Sequence, residues 1–200
     1  MLTALSTQER EAIAFYDQRV RSGDTADREL WADTFTYHMF DGHPEGPVVD
    51  IGCGIGRTIP VLNDYGIRAY FGVDPSAESV AFCRQRFPHL DFEISEVRQL
   101  GETYQQHFGG FLLLNVLMHT PEAELAAVLR SIHTSLLPGS PGLMNANKPA
   151  AAQYVNDAAK MLTLSYYEPS DFSKALEANG FEIWNFHEND VSFMVHVIAV

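Results

Sequence analysis

Downstream of residue 46 the chain alternates between two spacings of apolar residues. Short, nearly continuous apolar runs, "PVVDIG" (47–52), "RAYFGVD" (68–74), "LDFEIS" (90–95), "GFLLLNV" (110–116) and "LMNAN" (143–147), have the length and side-chain types of strands buried on both faces. Between them lie segments of helical spacing: one from about Arg57, then "SAESVAFCRQRF" (76–87), then "PEAELAAVLRSIHTSLL" (121–137), with Thr120 as cap and Pro121 as first helical residue. A loop-rich or helical link precedes residue 110, and the turn "PGSPG" (138–142) precedes the fifth strand. Strand and helix in succession predict an α/β fold, a parallel sheet with helices on both faces. The tail breaks that order. A helix over "SDFSKALEANG" stops at Gly180, and "FEIWNF" and "VSFMVHVIAV", joined by the polar "HEND", predict a terminal antiparallel hairpin.

The first 45 residues are of another kind. Ser6 followed by Glu9 has the spacing of a capping box, and Ile13, Tyr16 and Val20 then fall on one helical face. A second helical stretch, "DRELWADTFTYHMF" (27–40), ends in the turn-rich "DGHPEGP" (41–47). With 200 residues, 46% of them hydrophobic, the chain can bury one sizeable core. We therefore expect a single domain over 1–200, with 1–45 as a helical lid or cap.

Charge and cysteine content narrow the function. A net charge of -13 with only 13 Lys and Arg excludes a surface that tracks nucleic-acid phosphates. Two cysteines, one in a glycine turn and one in a helical segment, make no disulfide framework and point to a reducing compartment. There is neither a signal-like start nor a run of 18 apolar residues, so a cytoplasmic protein without a membrane partner is expected.

The chemistry concentrates in "VVDIGCGIGR" (48–57), where Gly52, Gly54 and Gly56 follow the first strand. Glycines there let backbone approach a ligand without a β-carbon in the way, and ligands of open α/β sheets sit beyond the carboxyl ends of the strands. Dinucleotides and S-adenosylmethionine both use this arrangement. The spacing is G-x-G-x-G, preceded by Asp50, and not the dinucleotide G-x-G-x-x-G. Asp74 closes the second strand, where a carboxylate can accept hydrogen bonds from both ribose hydroxyls of an adenosine, a position common to the two ligand classes.

Together, "VVDIGCGIGR", "YFGVDPSAESVAFCRQRF", "FEISEV", "FLLLNVLMHT" and "LLPGSPGLM" resemble the class I S-adenosylmethionine-dependent methyltransferases, over about residues 46–147 and more loosely to the C-terminus. The resemblance implies a Rossmann-like three-layer sandwich, a mostly parallel seven-stranded sheet with a C-terminal antiparallel hairpin. It implies that Gly52 and Gly54 face the methionine part of the cofactor, with Asp50 and Cys53 in the same motif. Asp74 would hold the ribose, Pro75 would flank the adenine, and Glu96 and Val97 would meet the adenine edge by side chain and amide respectively. Asn115 would sit beside the methionine or sulfonium, Tyr16 would cover the methionine end, and Arg57 could meet the cofactor carboxylate.

On the acceptor side, His119 matches a histidine that faces the transferred methyl group in related small-molecule enzymes, and an imidazole can take a proton near neutral pH. Tyr37 and His38, with His43, precede the first strand where a lid could fold, and Tyr166 and Tyr167 fall where substrate-facing segments are inserted. Gly109 and Gly110 open the fourth strand in place of the acidic residue common in the family, and no carboxylate cluster points to a metal. The expected activity is methyl transfer to an oxygen or nitrogen of a small molecule. Two alternatives stand beside it: a nicotinamide-dependent oxidoreductase, and a non-catalytic S-adenosylmethionine-binding regulator or partner subunit.

Overall fold

The structure, a computed structural model, describes residues 5–25, 40, 44–154 and 162–200. Its centre is a seven-stranded sheet in the order β3-β2-β1-β4-β5-β7-β6. The strands are β1 (Val48–Ile51), β2 (Tyr70–Asp74), β3 (Asp91–Ile94), β4 (Gly110–Leu113), β5 (Pro141–Asn147), β6 (Phe181–Glu188) and β7 (Ser192–Ala199). The first five run parallel, whereas β7 inserts antiparallel between β5 and β6. This is the mostly parallel sheet with a terminal hairpin expected from the sequence. β1 and β4 are buried along their whole length because helices cover both faces. One layer packs Val49, Ile51, Leu113 and Met144 against Leu129, Phe172 and Leu176, and the other packs Val48, Leu112 and Leu143 against Ile59, Leu62, Val80 and Cys83.

The helices are α1 (Thr7–Arg21), α2 (Ile59–Asp64), α3 (Ala77–Arg86), α4 (Val97–Thr103), α5 (Leu125–Ser135) and α6 (Pro169–Ala178). The capping box of α1 is present: Ser6 Oγ accepts from the Glu9 amide at 3.1 Å, and Glu9 Oε2 accepts from the Ser6 amide at 2.7 Å. The link before residue 110 contains α4, which lies tightly on α5 because Gly101 has no side chain: a Cβ there would stand 2.6 Å from the Ser131 carbonyl oxygen. Gly109 and Gly110 have a packing cause too. A Cβ on Gly109 would be 2.4 Å from the Gly46 nitrogen, and one on Gly110 would be 2.7 Å from the Phe40 ring. No acidic side chain fits at either position.

Three boundaries differ from the expectation. Thr120 is not a helix cap and Pro121 is not helical: Pro121 is extended at ψ 139°, a 3₁₀ turn over Glu122–Glu124 follows, and α5 begins at Leu125. The Thr120 carbonyl, which as a cap would accept the first helical amide, accepts the Tyr167 hydroxyl at 3.0 Å. β5 starts two residues earlier than expected, at Pro141, because it pairs with β7 as well as β4. His187 and Glu188 belong to β6, since the reversal is made by Asn189, whose Oδ1 accepts from the Val191 and Ser192 amides at 2.9 and 2.8 Å. The second helical stretch expected over 27–40, apart from Phe40, lies outside the described residues. Among the described residues no helix is long and apolar enough to cross a membrane.

Candidate active site

The carboxyl ends of β1, β2 and β4 open into one cavity, roofed by α1. β1 hands over to the glycine turn, where Gly52 and Gly54 have φ of 73° and 53°, a left-handed backbone that costs a non-glycine residue strain. The two glycines serve different ends. A Cβ on Gly52 would stand 2.3 Å from Val116 Cγ2, so this glycine lets the turn pass beneath the β4 loop. A Cβ on Gly54 would meet nothing within 4 Å, so this glycine keeps the cavity floor open. Asp50 supports the turn from beneath: it is 2% exposed, accepts from the Tyr70 hydroxyl at 2.9 Å and from the Thr58 hydroxyl, and does not line the cavity. Burial pushes its pKa up, against the hydrogen bonds from Thr58 and Tyr70 and the charge of Arg57.

Asp74, at the end of β2, reaches the same cavity. Its Oδ2 accepts from the Gly54 amide and its Oδ1 from the Ser76 amide, each at 2.8 Å, leaving each oxygen a further lone pair. Burial pushes its pKa up to about 6, although the amides of Ser76 and Gly54 pull the other way. Beyond β3, Glu96 and Val97 line the cavity at the start of α4, and the Val97 amide, the first of the helix, has no acceptor within it. Asn115 follows β4 in the left-handed region at φ 61° and is locked to Asn145: its amide donates to Asn145 Oδ1 at 2.6 Å, and Asn145 Nδ2 donates to its Oδ1 at 3.0 Å.

His119 closes the 3₁₀ turn Leu117–His119 and faces α1. Its Nε2 is hydrogen-bonded to the Tyr16 hydroxyl at 3.1 Å, with the rings edge to face at 5.4 Å, while its buried Nδ1 has no protein partner. Burial holds its pKa down at about 4, so the imidazole is neutral at physiological pH. Among the described residues α1 is fastened by Tyr16 to His119, Gln8 to the Met118 carbonyl and Ser165, Asp17 to the Ser76 hydroxyl at 2.6 Å, Glu9 to Arg98 and Arg21 to Glu78.

The cavity thus gathers Tyr16, Gly52, Cys53, Gly54, Arg57, Asp74, Pro75, Glu96, Val97, Asn115 and His119. It excludes Tyr166 and Tyr167. Tyr167 is a strut, not a substrate contact: it is buried, and its hydroxyl donates to the carbonyls of Leu117 and Thr120, holding the turn that carries His119. Tyr37, His38 and His43 lie outside the described residues. Sequence reasoning missed Glu9 and Arg98 as a pair, Asn145 as the partner of Asn115, and Ser76 as an anchor for α1. Ser76 alone left a signal, as the first residue of the helical stretch 76–87, and the structure makes it the cap of α3.

Two opposed titrations follow from this burial. In the unfolded chain His119 returns to its ordinary value of 6.5, so the unfolded state takes up the proton first and stability is lost as pH falls from about 6.5 to 4. Asp74 takes up its proton first in the folded state, near 6 against 3.8 unfolded, so it adds stability over nearly the same fall. His119→Gln should therefore steepen the gain of stability on acidification relative to the parent, and Asp74→Asn should steepen the loss. Urea melts at pH 4 to 7 test the pair, and the same slope in both variants would contradict it.

Residues 48–139 match the family model described as a methyltransferase domain. Residues 48–139 thus carry a methyltransferase domain, and the fold is that of the class I S-adenosylmethionine-dependent methyltransferases. The cofactor of such methyltransferases is S-adenosylmethionine, and the matched residues include the glycine turn, Asp74 and Glu96 that line the cavity. A stretch of 86 residues, 42% of the chain, is 33% identical to peramine synthetase ppzA of Metarhizium rileyi, of whose length it covers 3%. The chain thus spans a small fraction of that curated relative. Two solved structures share the fold. Magnesium protoporphyrin IX methyltransferase of Synechocystis PCC 6803, with bound S-adenosylmethionine, aligns over all of this chain and 87% of its own, at TM-score 0.62 and 19% identity. Geranyl diphosphate methyltransferase, in complex with its diphosphate and sinefungin, aligns over 83% of this chain and 76% of its own, at TM-score 0.68 and 12% identity.

Proposed function

We propose that this methyltransferase transfers the methyl group of S-adenosylmethionine to an oxygen or nitrogen of a small, neutral acceptor. The observation that carries the proposal is the convergence, in one cavity under α1, of a ribose-type carboxylate on Asp74 with the Tyr16–His119 pair. The residues fit the cofactor. Asp74 has lone pairs for two ribose hydroxyls, the open face of Gly54 admits the methionine part, Arg57 can meet a carboxylate, and Glu96 with the Val97 amide can read an adenine edge. Bound there, S-adenosylmethionine supplies a methyl group already activated on a sulfonium.

The chain's own task is then to position the acceptor, keep water out and receive a proton where the acceptor carries one. His119, neutral and beside the Tyr16 hydroxyl, accepts a hydrogen bond or a proton from the acceptor. Asn115, fixed by Asn145, borders the same space, and α1 acts as the lid that excludes water. The only cationic residues among the described lining are Arg57 and Arg98, and three carboxylates surround Arg98. That balance favours a neutral acceptor over an anionic one, and the net charge of -13 disfavours nucleic acid. Small molecules are also the substrates named for the two solved relatives.

The glycines that open β4 in place of an acidic residue are accounted for by contact with Gly46 and Phe40, so they give no support to a non-catalytic regulator. Incubation with S-adenosylmethionine and a protein-free metabolite extract should yield S-adenosylhomocysteine that depends on the extract. Cofactor binding without product across such extracts would favour the regulator and overturn the proposal.

A further inference from the structure

Arg98, on the first turn of α4, was singled out neither by motif nor by family position. Its side chain is only 6% exposed and lies among carboxylates from three separate parts of the chain. Nη1 donates to Glu9 Oε1 at 2.7 Å and Nη2 to Glu9 Oε2 at 3.2 Å, a two-pronged fork onto the lid helix. Nη2 also donates to Glu96 Oε2 at 3.4 Å, and Nη1 lies 3.7 Å from Glu124 Oε2. A guanidinium that only stapled α1 to the body would need Glu9 alone. This one also holds the carboxylate that borders the cavity where an adenine edge is expected. Despite its burial, the Glu9 carboxyl is held below the usual carboxylate range by hydrogen bonds from Arg98 and Ser6 and by the charge of Arg98, so the fork stays ionic at neutral pH.

We infer that Arg98 is a positioning residue that sets the base specificity of the cofactor site and ties that specificity to the lid. With Arg98 on Oε2 and the Gln99 amide also donating to the side chain, the Glu96 carboxylate is fixed and keeps lone pairs to accept from the exocyclic amino group of adenine. A 6-oxo base presents a carbonyl at that point, and two acceptors facing each other repel. Glu96 discriminates only while it is held in place, and Arg98 holds it. Because the same guanidinium grips Glu9, a change at the base edge is felt by α1. The inference rests on the proposed placement of the cofactor.

The test compares S-adenosylhomocysteine with S-inosylhomocysteine, its 6-oxo analogue, on the full chain, by calorimetry and stopped-flow release. The parent should prefer the adenine compound by about ten-fold or more, since a site built around one hydrogen bond rejects the analogue that lacks it. Arg98→Met, or Arg98→Gln should the first not fold, should bring that ratio towards one and speed release. Glu9→Gln should speed release with the ratio unchanged, since Arg98 still holds Glu96. An Arg98 variant that folds and weakens both ligands equally, keeping the ratio, would overturn the assignment and leave Arg98 a mere staple. Unaltered release in Glu9→Gln would overturn the tie to the lid. A parent that binds neither ligand would overturn the cofactor placement itself, and the inference with it.

Discussion

Replacing His119 with alanine is expected to lower turnover by about 10²-fold or more while leaving affinity for S-adenosylhomocysteine nearly unchanged. The imidazole lies on the turn after β4, its Nε2 hydrogen-bonded to Tyr16 of α1, whereas Asp74, the proposed ribose partner, closes β2. The expected effect therefore falls on the acceptor. Because burial holds the imidazole at about pKa 4, a proton-accepting His119 gives an acid-side limb of the pH–rate profile near 4, not near the ordinary 6.5. His119→Ala should remove that limb. Tyr16→Phe, which keeps the ring and deletes the hydroxyl, should lower turnover by less. If His119→Ala turns over like the parent, the histidine is structural and proximity alone drives the reaction, with an acceptor that arrives deprotonated.

The second large effect is expected on binding. Asp74→Ala removes the carboxylate proposed to accept from both ribose hydroxyls and should weaken S-adenosylhomocysteine by on the order of 1.5 to 3 kcal/mol, about ten- to 150-fold. The parent should also release protons on binding near pH 6, because hydroxyls donating to the carboxylate favour its ionised form and pull its pKa down from about 6. Calorimetry in buffers of different ionisation enthalpy reads that release, which Asp74→Ala should abolish. Equal affinity in the variant and the parent would place the ribose elsewhere.

The architecture was legible because strands buried on both faces leave continuous apolar runs, as β1, β2, β4 and β5 do, while the edge strand β3 with its exposed ends was read from the mixed run "LDFEIS". The part of the cavity formed by the glycine turn and Asp74 was legible for a related reason. Its turn and its carboxylate lie at strand ends, Asp50 to Gly56 within seven consecutive residues and Asp74 closing the next strand. The contacts of α1 were not. Tyr16 and His119 stand 103 positions apart and Glu9 and Arg98 stand 89 apart, and no local pattern records which polar residue of α1 will face which turn. Tyr167 misled for the same reason. Its partners are the carbonyls of a 3₁₀ turn some 50 positions upstream, so a tyrosine with a structural task looked like one facing a substrate. Asp50 carried a motif position without a place in the cavity, because Thr58 and Tyr70 occupy it from below.

The central claim is that this cavity holds S-adenosylmethionine and not a nicotinamide dinucleotide. Titration calorimetry of the full chain at neutral pH, with S-adenosylhomocysteine and NAD in separate cells, tests it most directly. Saturable one-to-one binding of S-adenosylhomocysteine, with no heat from NAD at the same concentrations, is the predicted result. Tight binding of NAD with no heat from S-adenosylhomocysteine would contradict it.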